Sequence, residues 1–223
     1  MNFIEYSDRE ILMLELADVI AGQLRSALAQ SDRASMSVPG GTTPGPIFDT
    51  LSGVHLDWDR VDVILNDERW VPETSDRSNT ALLKRRLITG AASAATLVPL
   101  YTDTPTPEEG LDSLMPAIDA ALPLDVLVLG MGLDMHTASL FPGADQLELG
   151  LSDAAPTLLA MRAPGAPEPR ITLSAKALKT AVSTHILITG DEKRSVVEKA
   201  QHLSPDEAPI AAFLRHADVH WAP

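Results

Sequence analysis

Apolar positions along the chain fall into short continuous runs, and the stretches between them carry a helical period. The runs at 34–38, 61–65, 125–129 and 185–188 have the length and composition of buried strands. Shorter strands are predicted at 2–6, 96–100, 158–161, 171–173 and 219–221. Asp8 is placed to cap a helix whose apolar positions are Leu12, Leu16, Val19, Ile20, Leu24 and Leu28. Further helices are predicted at 44–51, with proline in the first turn, and at 79–88, 191–202 and 209–214. Another is predicted at 108–122, interrupted by Pro116, and a short one opening at 136–140. Strands that alternate with helices imply an α/β domain with a mostly parallel sheet and helices on both faces. In such sheets ligands bind beyond the carboxyl ends of the strands. Polar and glycine-rich segments follow the strands ending at Val38, Leu65, Leu129 and Ile188.

Composition narrows the function classes. The 223 residues are 45% hydrophobic, enough for a substantial core, and one domain spanning 1–223 is expected. The formal net charge of −14 argues against nonspecific binding to nucleic acid or to anionic membranes. It leaves room for an anionic small molecule, because a few local cations outweigh a distant field. With no cysteine, thiolate nucleophiles, disulfides and cysteine-based zinc sites are excluded. His55, His185, His202, His216 and His220 have no metal-ligand spacing and read as structural or surface residues. The first residues lack a basic region followed by an apolar run, so a cytoplasmic protein is expected.

Three segments and two later cations carry candidate chemistry. In Pro39-Gly40-Gly41-Thr42-Thr43-Pro44 a strand gives way to glycines, hydroxyls and a helix start. Glycines let backbone N–H groups approach an anion, and the two threonines add donors, which suits a sugar phosphate. The Gly-Lys-Ser/Thr ending of a nucleotide-triphosphate loop is missing. Asn66-Asp67-Glu68-Arg69-Trp70-Val71-Pro72 follows a buried strand. There Asp67 is a candidate to orient a base or accept sugar hydroxyls, and Arg69 to hold phosphate or a developing oxyanion; a solvated loop with internal ion pairs is the plain alternative. In the segment 130–143 His136 sits at the predicted helix start, where the dipole disfavours imidazolium. A neutral imidazole is a competent general base, and Asp134 lies two residues earlier to accept from the ring or from a sugar. Finally, Arg170 precedes a strand, and Lys193 falls in the first turn of a helix, where a bound anion would offset its conflict with the dipole.

These segments together resemble the 6-phosphogluconolactonase family. The resemblance rests on 39–44, 67–72, Ser78-Asn79, the run His136-Thr137-Ala138-Ser139-Leu140-Phe141-Pro142-Gly143, 170–173, and Ile188-Thr189-Gly190 with Lys193. They occur in the family's order over most of the chain. The resemblance implies a Rossmann-like fold similar to those of glucosamine-6-phosphate deaminases and ribose-5-phosphate isomerases. It implies hydrolysis of 6-phospho-D-glucono-1,5-lactone in the oxidative pentose phosphate pathway, with His136 activating water. It also places Arg69 and Lys193 among the substrate-binding cations. The chain departs from the pattern at Met135, where the family usually has glycine, and at Leu133, where it often has proline. If that glycine serves a positive φ, Met135 costs about 1 kcal/mol of backbone strain.

The expected mechanism follows. Gly40, Gly41, Thr42 and Thr43 hold the phosphate with Lys193 and Arg170, while Asp67, Asn79 and Asp134 complete the site. His136 takes a proton from water, Arg69 or a loop amide stabilises the oxyanion, and His136 returns the proton on ring opening. Neither a metal nor an organic cofactor is expected. The only partner expected is the phosphorylated lactone, without nucleic acid or membrane, for a monomer or small homo-oligomer. Ser139 lacks the Gly-x-Ser-x-Gly surroundings of a nucleophile elbow. Two rivals remain. A deaminase or isomerase on the same fold would be expected to carry tyrosine in place of Arg69. A sugar-phosphate-sensing regulator would need a basic DNA-binding segment.

Overall fold

A computed structural model describes residues 1–223. Seven strands form a wholly parallel sheet in the order β1-β10-β9-β6-β2-β3-β5. They are β1 (Asn2–Glu5), β2 (Ala34–Val38), β3 (Val61–Leu65), β5 (Thr96–Val98), β6 (Val126–Gly130), β9 (Ser183–Thr189) and β10 (Asp218–Ala222). The central members carry unbroken apolar runs because both of their faces are covered: β2 is buried at all five positions and β6 at its first four. Helix α1 (Arg9–Leu28) is capped by Asp8, whose Oδ1 accepts from Ile11 N at 2.9 Å. It buries Leu12, Leu16, Ile20, Leu24 and Leu28, whereas Val19, expected on the same face, is 39% exposed. The other principal helices are α2 (Gly45–Ser52), α3 (Asn79–Arg86), α4 (Pro107–Ala120), which continues through Pro116, and α7 (Asp191–Ala200).

A smaller antiparallel sheet was not foreseen. It pairs β4 (Asp67–Arg69) with β8 (Arg170–Leu173), and β8 with β7 (Leu158–Met161). The polar segment after Leu65 is therefore a strand, with Arg69 opposite Arg170 in register. Periodicity could not show this, since a three-residue strand has too few positions to display a period. Two short helices, α5 (Leu147–Leu151) and α6 (Ala175–Leu178), were equally invisible, as was the shortness of α8 (Ala211–Leu214).

The predicted helix at 136–140 is absent. Its place is taken by a tight turn with an antiparallel bridge between Thr137 and Leu140. Met135 and Ala138 have φ of 67° and 50°, values that no right-handed helix accepts. No helix dipole therefore acts on His136, contrary to the expectation from sequence.

At the carboxyl ends of the central strands, Asn66 ties three of them together. Its Nδ2 donates to Val128 O at 2.8 Å, its Oδ1 accepts from Ser37 Oγ at 2.7 Å, and its backbone N donates to Val38 O at 2.9 Å. Asn66 is completely buried, and every one of these groups is satisfied. The loops that leave β2, β3 and β6 thus start from a fixed base.

Candidate active site

A cavity of about 260 Å³ opens above that base. The loop after β2 contributes Gly40, Gly41 and Thr43, β4 contributes Asp67 and Arg69, and α3 contributes Asn79. The turn after β6 brings His136 and Ala138, β8 brings Arg170, and α7 brings Lys193. Residues spread over more than 150 positions of sequence are gathered at one sheet end, as the topology requires. Asp134 stands outside the cavity lining, as does Thr42. Thr42 is exposed and faces a neighbouring cavity beside Arg9 and Thr50, so only Thr43 of the pair lines the central one.

His136 is held by its own turn. Gly132 N donates to His136 O at 2.9 Å, and Met135 N donates to Gly132 O at 3.0 Å. A side chain at Gly132 would overlap the His136 ring and the Asp134 carboxylate. Asp134 Oδ1 lies 2.5 Å from His136 Nδ1 and accepts from His136 N at 3.2 Å. The ring stacks on Phe141, with centroids 4.2 Å apart. With Nδ1 engaged by a carboxylate, the N–H belongs on Nδ1 and Nε2 is the basic nitrogen. The orienting acid is thus Asp134, not Asp67.

Asp67 serves elsewhere in the cavity wall. Its Oδ2 accepts from Ser139 Oγ and faces Arg170 Nη1 at 3.5 Å. Ser139 is fully buried, which suits a bracing hydroxyl and not a nucleophile. Burial pushes the Arg170 guanidinium below its ordinary pKa, with Arg69 pushing the same way and Asp67 opposing. The Nε atoms of Arg69 and Arg170 are buried without a hydrogen-bond partner.

Lys193 stands in the first turn of α7, two residues after the helix begins. Gly190 precedes that helix with φ 85°, held by Gly190 N donating to Ala222 O at 2.8 Å and by Trp221 Nε1 donating to Gly190 O at 2.9 Å. The ammonium donates to Met131 O. Burial pushes its pKa down, partly offset by the Asp134 and Glu192 carboxylates. Three cations, Arg69, Arg170 and Lys193, therefore line the cavity against one carboxylate, Asp67. In a chain of net charge −14 this is a local excess of positive charge, an arrangement that suits an anion.

Glu68 lies inside a charged run, where a glutamate reads from sequence as solvated. It is completely buried. His185 and His220 are buried too, and β9–β10 pairing brings them beside Asp218, with potential ligand atoms within 4.8 Å. All four ring nitrogens already have partners: His220 Nδ1 with Tyr6 OH at 2.8 Å, His220 Nε2 with His185 Nδ1 at 3.0 Å, and His185 Nε2 with Gln23 Oε1 at 2.9 Å. Each is a structural histidine.

A family profile described as glucosamine-6-phosphate isomerases/6-phosphogluconolactonase matches residues 7–221. The chain belongs to this family. A 6-phosphogluconolactonase of Rhizobium meliloti is 42% identical, with 100% of this chain and 99% of that protein aligned. One from Pseudomonas putida is 40% identical over 98% of this chain and 92% of its own length. Among solved structures, a 6-phosphogluconolactonase from Shewanella baltica superposes with a TM-score of 0.94 at 35% identity, covering 100% of this chain and 98% of that one. A monomeric glucosamine-6-phosphate deaminase superposes with a TM-score of 0.80 at 17% identity, which establishes the shared fold alone. Met135 has φ 67°, a backbone conformation that suits glycine better than a residue with a side chain.

Proposed function

We propose that the chain hydrolyses 6-phospho-D-glucono-1,5-lactone to 6-phospho-D-gluconate, with His136 as the base that activates water. The observation that carries this is the Asp134–His136 pair beside a cavity with excess positive charge. Water approaches Nε2 of His136 and attacks the lactone carbonyl as its proton passes to the ring. Charge develops on the carbonyl oxygen, and Arg69 or a loop amide stabilises it. Asp134 supports the imidazolium that forms. Ring opening then releases an alkoxide oxygen, which takes the proton back from Nε2. The enzyme returns to its starting state, and the new carboxylic acid ionises, releasing one proton to solvent.

The phosphate is assigned to the Gly40–Gly41–Thr43 loop, Lys193 and Arg170. Gly41 has φ 85° and open space where a side chain would stand, so the loop backbone is approachable. Lys193 and Arg170 are both desolvated cations, and a phosphate between them would supply the charge they lack.

The decisive test is consumption of freshly prepared 6-phosphogluconolactone at constant pH, measured against its spontaneous hydrolysis. A rate equal to the spontaneous one at micromolar protein rejects the reading.

A further inference from the structure

Glu68 stands one residue from Arg69, yet its side chain turns inward and is completely buried. Its Oε1 accepts from Arg69 N and Asn79 N, both at 2.8 Å. Its Oε2 accepts from Thr80 N at 2.7 Å and Ser78 Oγ at 3.2 Å. One carboxylate thus joins β4 to the first turn of α3. Burial pushes its pKa up, and the three backbone donors pull against that.

Burying a carboxylate is costly, and an apolar side chain of similar size would fill the space at less cost. What the carboxylate supplies is position. The eight-residue α3 buries only Asn79, Ala81 and Leu83 within its span, so little apolar packing fixes its first turn. Ser78 Oγ caps Ala81 N at 3.2 Å, and Glu68 takes the N–H groups of Asn79 and Thr80 that Ser78 leaves unbonded. Both residues that flank this clamp in the cavity wall are candidate substrate contacts. Arg69 follows directly, with its Nη1 donating to Arg77 O at 2.6 Å. Asn79 donates to Asp67 O at 3.1 Å, and its amide lies so close to Gly40 that any side chain there would overlap it. The position of Asn79 therefore sets one boundary of the phosphate loop.

We infer that Glu68 is a positioning residue for the reaction, holding Arg69 and Asn79 in register with the Gly40–Gly41 loop without touching substrate. The inference rests on the lactonase reading for its kinetic test and on hydrogen bonding alone for its structural one.

A double-mutant cycle separates positioning from plain stability. Glu68→Gln keeps the shape and one acceptor oxygen but turns an N–H group toward N–H donors. Alone it is expected to lower kcat/KM for 6-phosphogluconolactone about 10- to 100-fold, the scale of a small misplacement of a contact. In a background already carrying Arg69→Ala and Asn79→Ala, the same change should cost less than about threefold, because its targets are gone. Equal losses in both backgrounds, or an unimpaired Glu68→Gln enzyme, overturn the inference. Should the wild-type protein hydrolyse no lactone, the reaction is misassigned, and amide hydrogen exchange decides the role of Glu68. Glu68→Gln must then accelerate exchange at Arg69, Asn79 and Thr80 while the β2 and β6 amides stay protected. Unchanged exchange at those three amides overturns it.

Discussion

Asp134 grips His136 twice with one oxygen, at the ring Nδ1 and at the backbone N. Orientation and tautomer of the imidazole are thereby set by a residue two positions away, inside the same turn. His136→Ala should lower kcat by roughly 10²–10⁴ while the melting temperature moves little, since the ring is partly exposed. Asp134→Ala should lower kcat less, leaving a base with free choice of tautomer. Near-wild-type turnover in His136→Ala removes it from the mechanism.

Lys193 should report on the phosphate and not on the reacting ring. Lys193→Ala is expected to weaken binding of the phosphorylated lactone by roughly 1.5–3 kcal/mol, the scale of a charge-assisted hydrogen bond. Unphosphorylated gluconolactone should be turned over with nearly unchanged kcat/KM. If both substrates lose efficiency equally, the phosphate lies elsewhere.

Met135 offers a test of backbone strain. Its φ of 67° places an L-residue where the left-handed conformation costs about 1–2 kcal/mol, and its side chain is nearly buried. Truncation loses packing in either variant, so Met135→Ala and Met135→Gly should both be less stable than the wild type. The order between them is the informative part. Glycine normally loses to alanine by about 0.4–1 kcal/mol through the unfolded chain, whereas here it should be the more stable by roughly 0.5–1 kcal/mol. Urea unfolding midpoints of the two variants decide it; the ordinary order would mean the turn relaxes.

The buried histidine pair makes stability depend on pH. Burial and the neighbouring His185 push His220 from 6.5 down to about 4, with Asp218 opposing, and burial lowers His185 as well. A folded pKa below the unfolded one means that the unfolded chain binds the proton more readily. The stabilisation is therefore complete above about pH 6.5 and is lost as pH falls towards 4. For His220 alone it is roughly 3 kcal/mol. Urea unfolding between pH 7 and 4 should show this slope, and His220→Gln should flatten it. A profile that is level until well below pH 4 would falsify the role of the pair.

Much of this site was legible because its residues follow long buried strands. The apolar runs ending at Val38, Leu65 and Leu129 located the segments that carry Gly40, Asp67 and His136, and the first-turn position of Lys193 could be read from Gly190. What sequence did not disclose depends on pairing between distant segments. The register of Arg69 opposite Arg170 arises from β4–β8 pairing across about 100 residues. The inward turn of Glu68 depends on where α3 starts. At His136 the error was local: polar residues after a glycine turn suggested a helix start, but positive φ at Met135 and Ala138 closed the chain into a turn. The departure at Met135 was a clue to that conformation.

The order of strands has a consequence for assembly during synthesis. β1 pairs only with β10, joining Asn2 to Asp218, so β1 can find its ladder only once β10 has emerged from the ribosome. Until then Phe3 and Ile4 sit on an unpaired strand, while β2, β3 and β6 can already come together. Closing so long a loop is slow compared with the local contacts that precede it. Because Gly190 is tied to Trp221 and Ala222, the wall that carries Lys193 is also among the last pieces to set. Until β10 is made, the nascent chain therefore carries an incomplete cavity and an open strand edge, a state prone to aggregation.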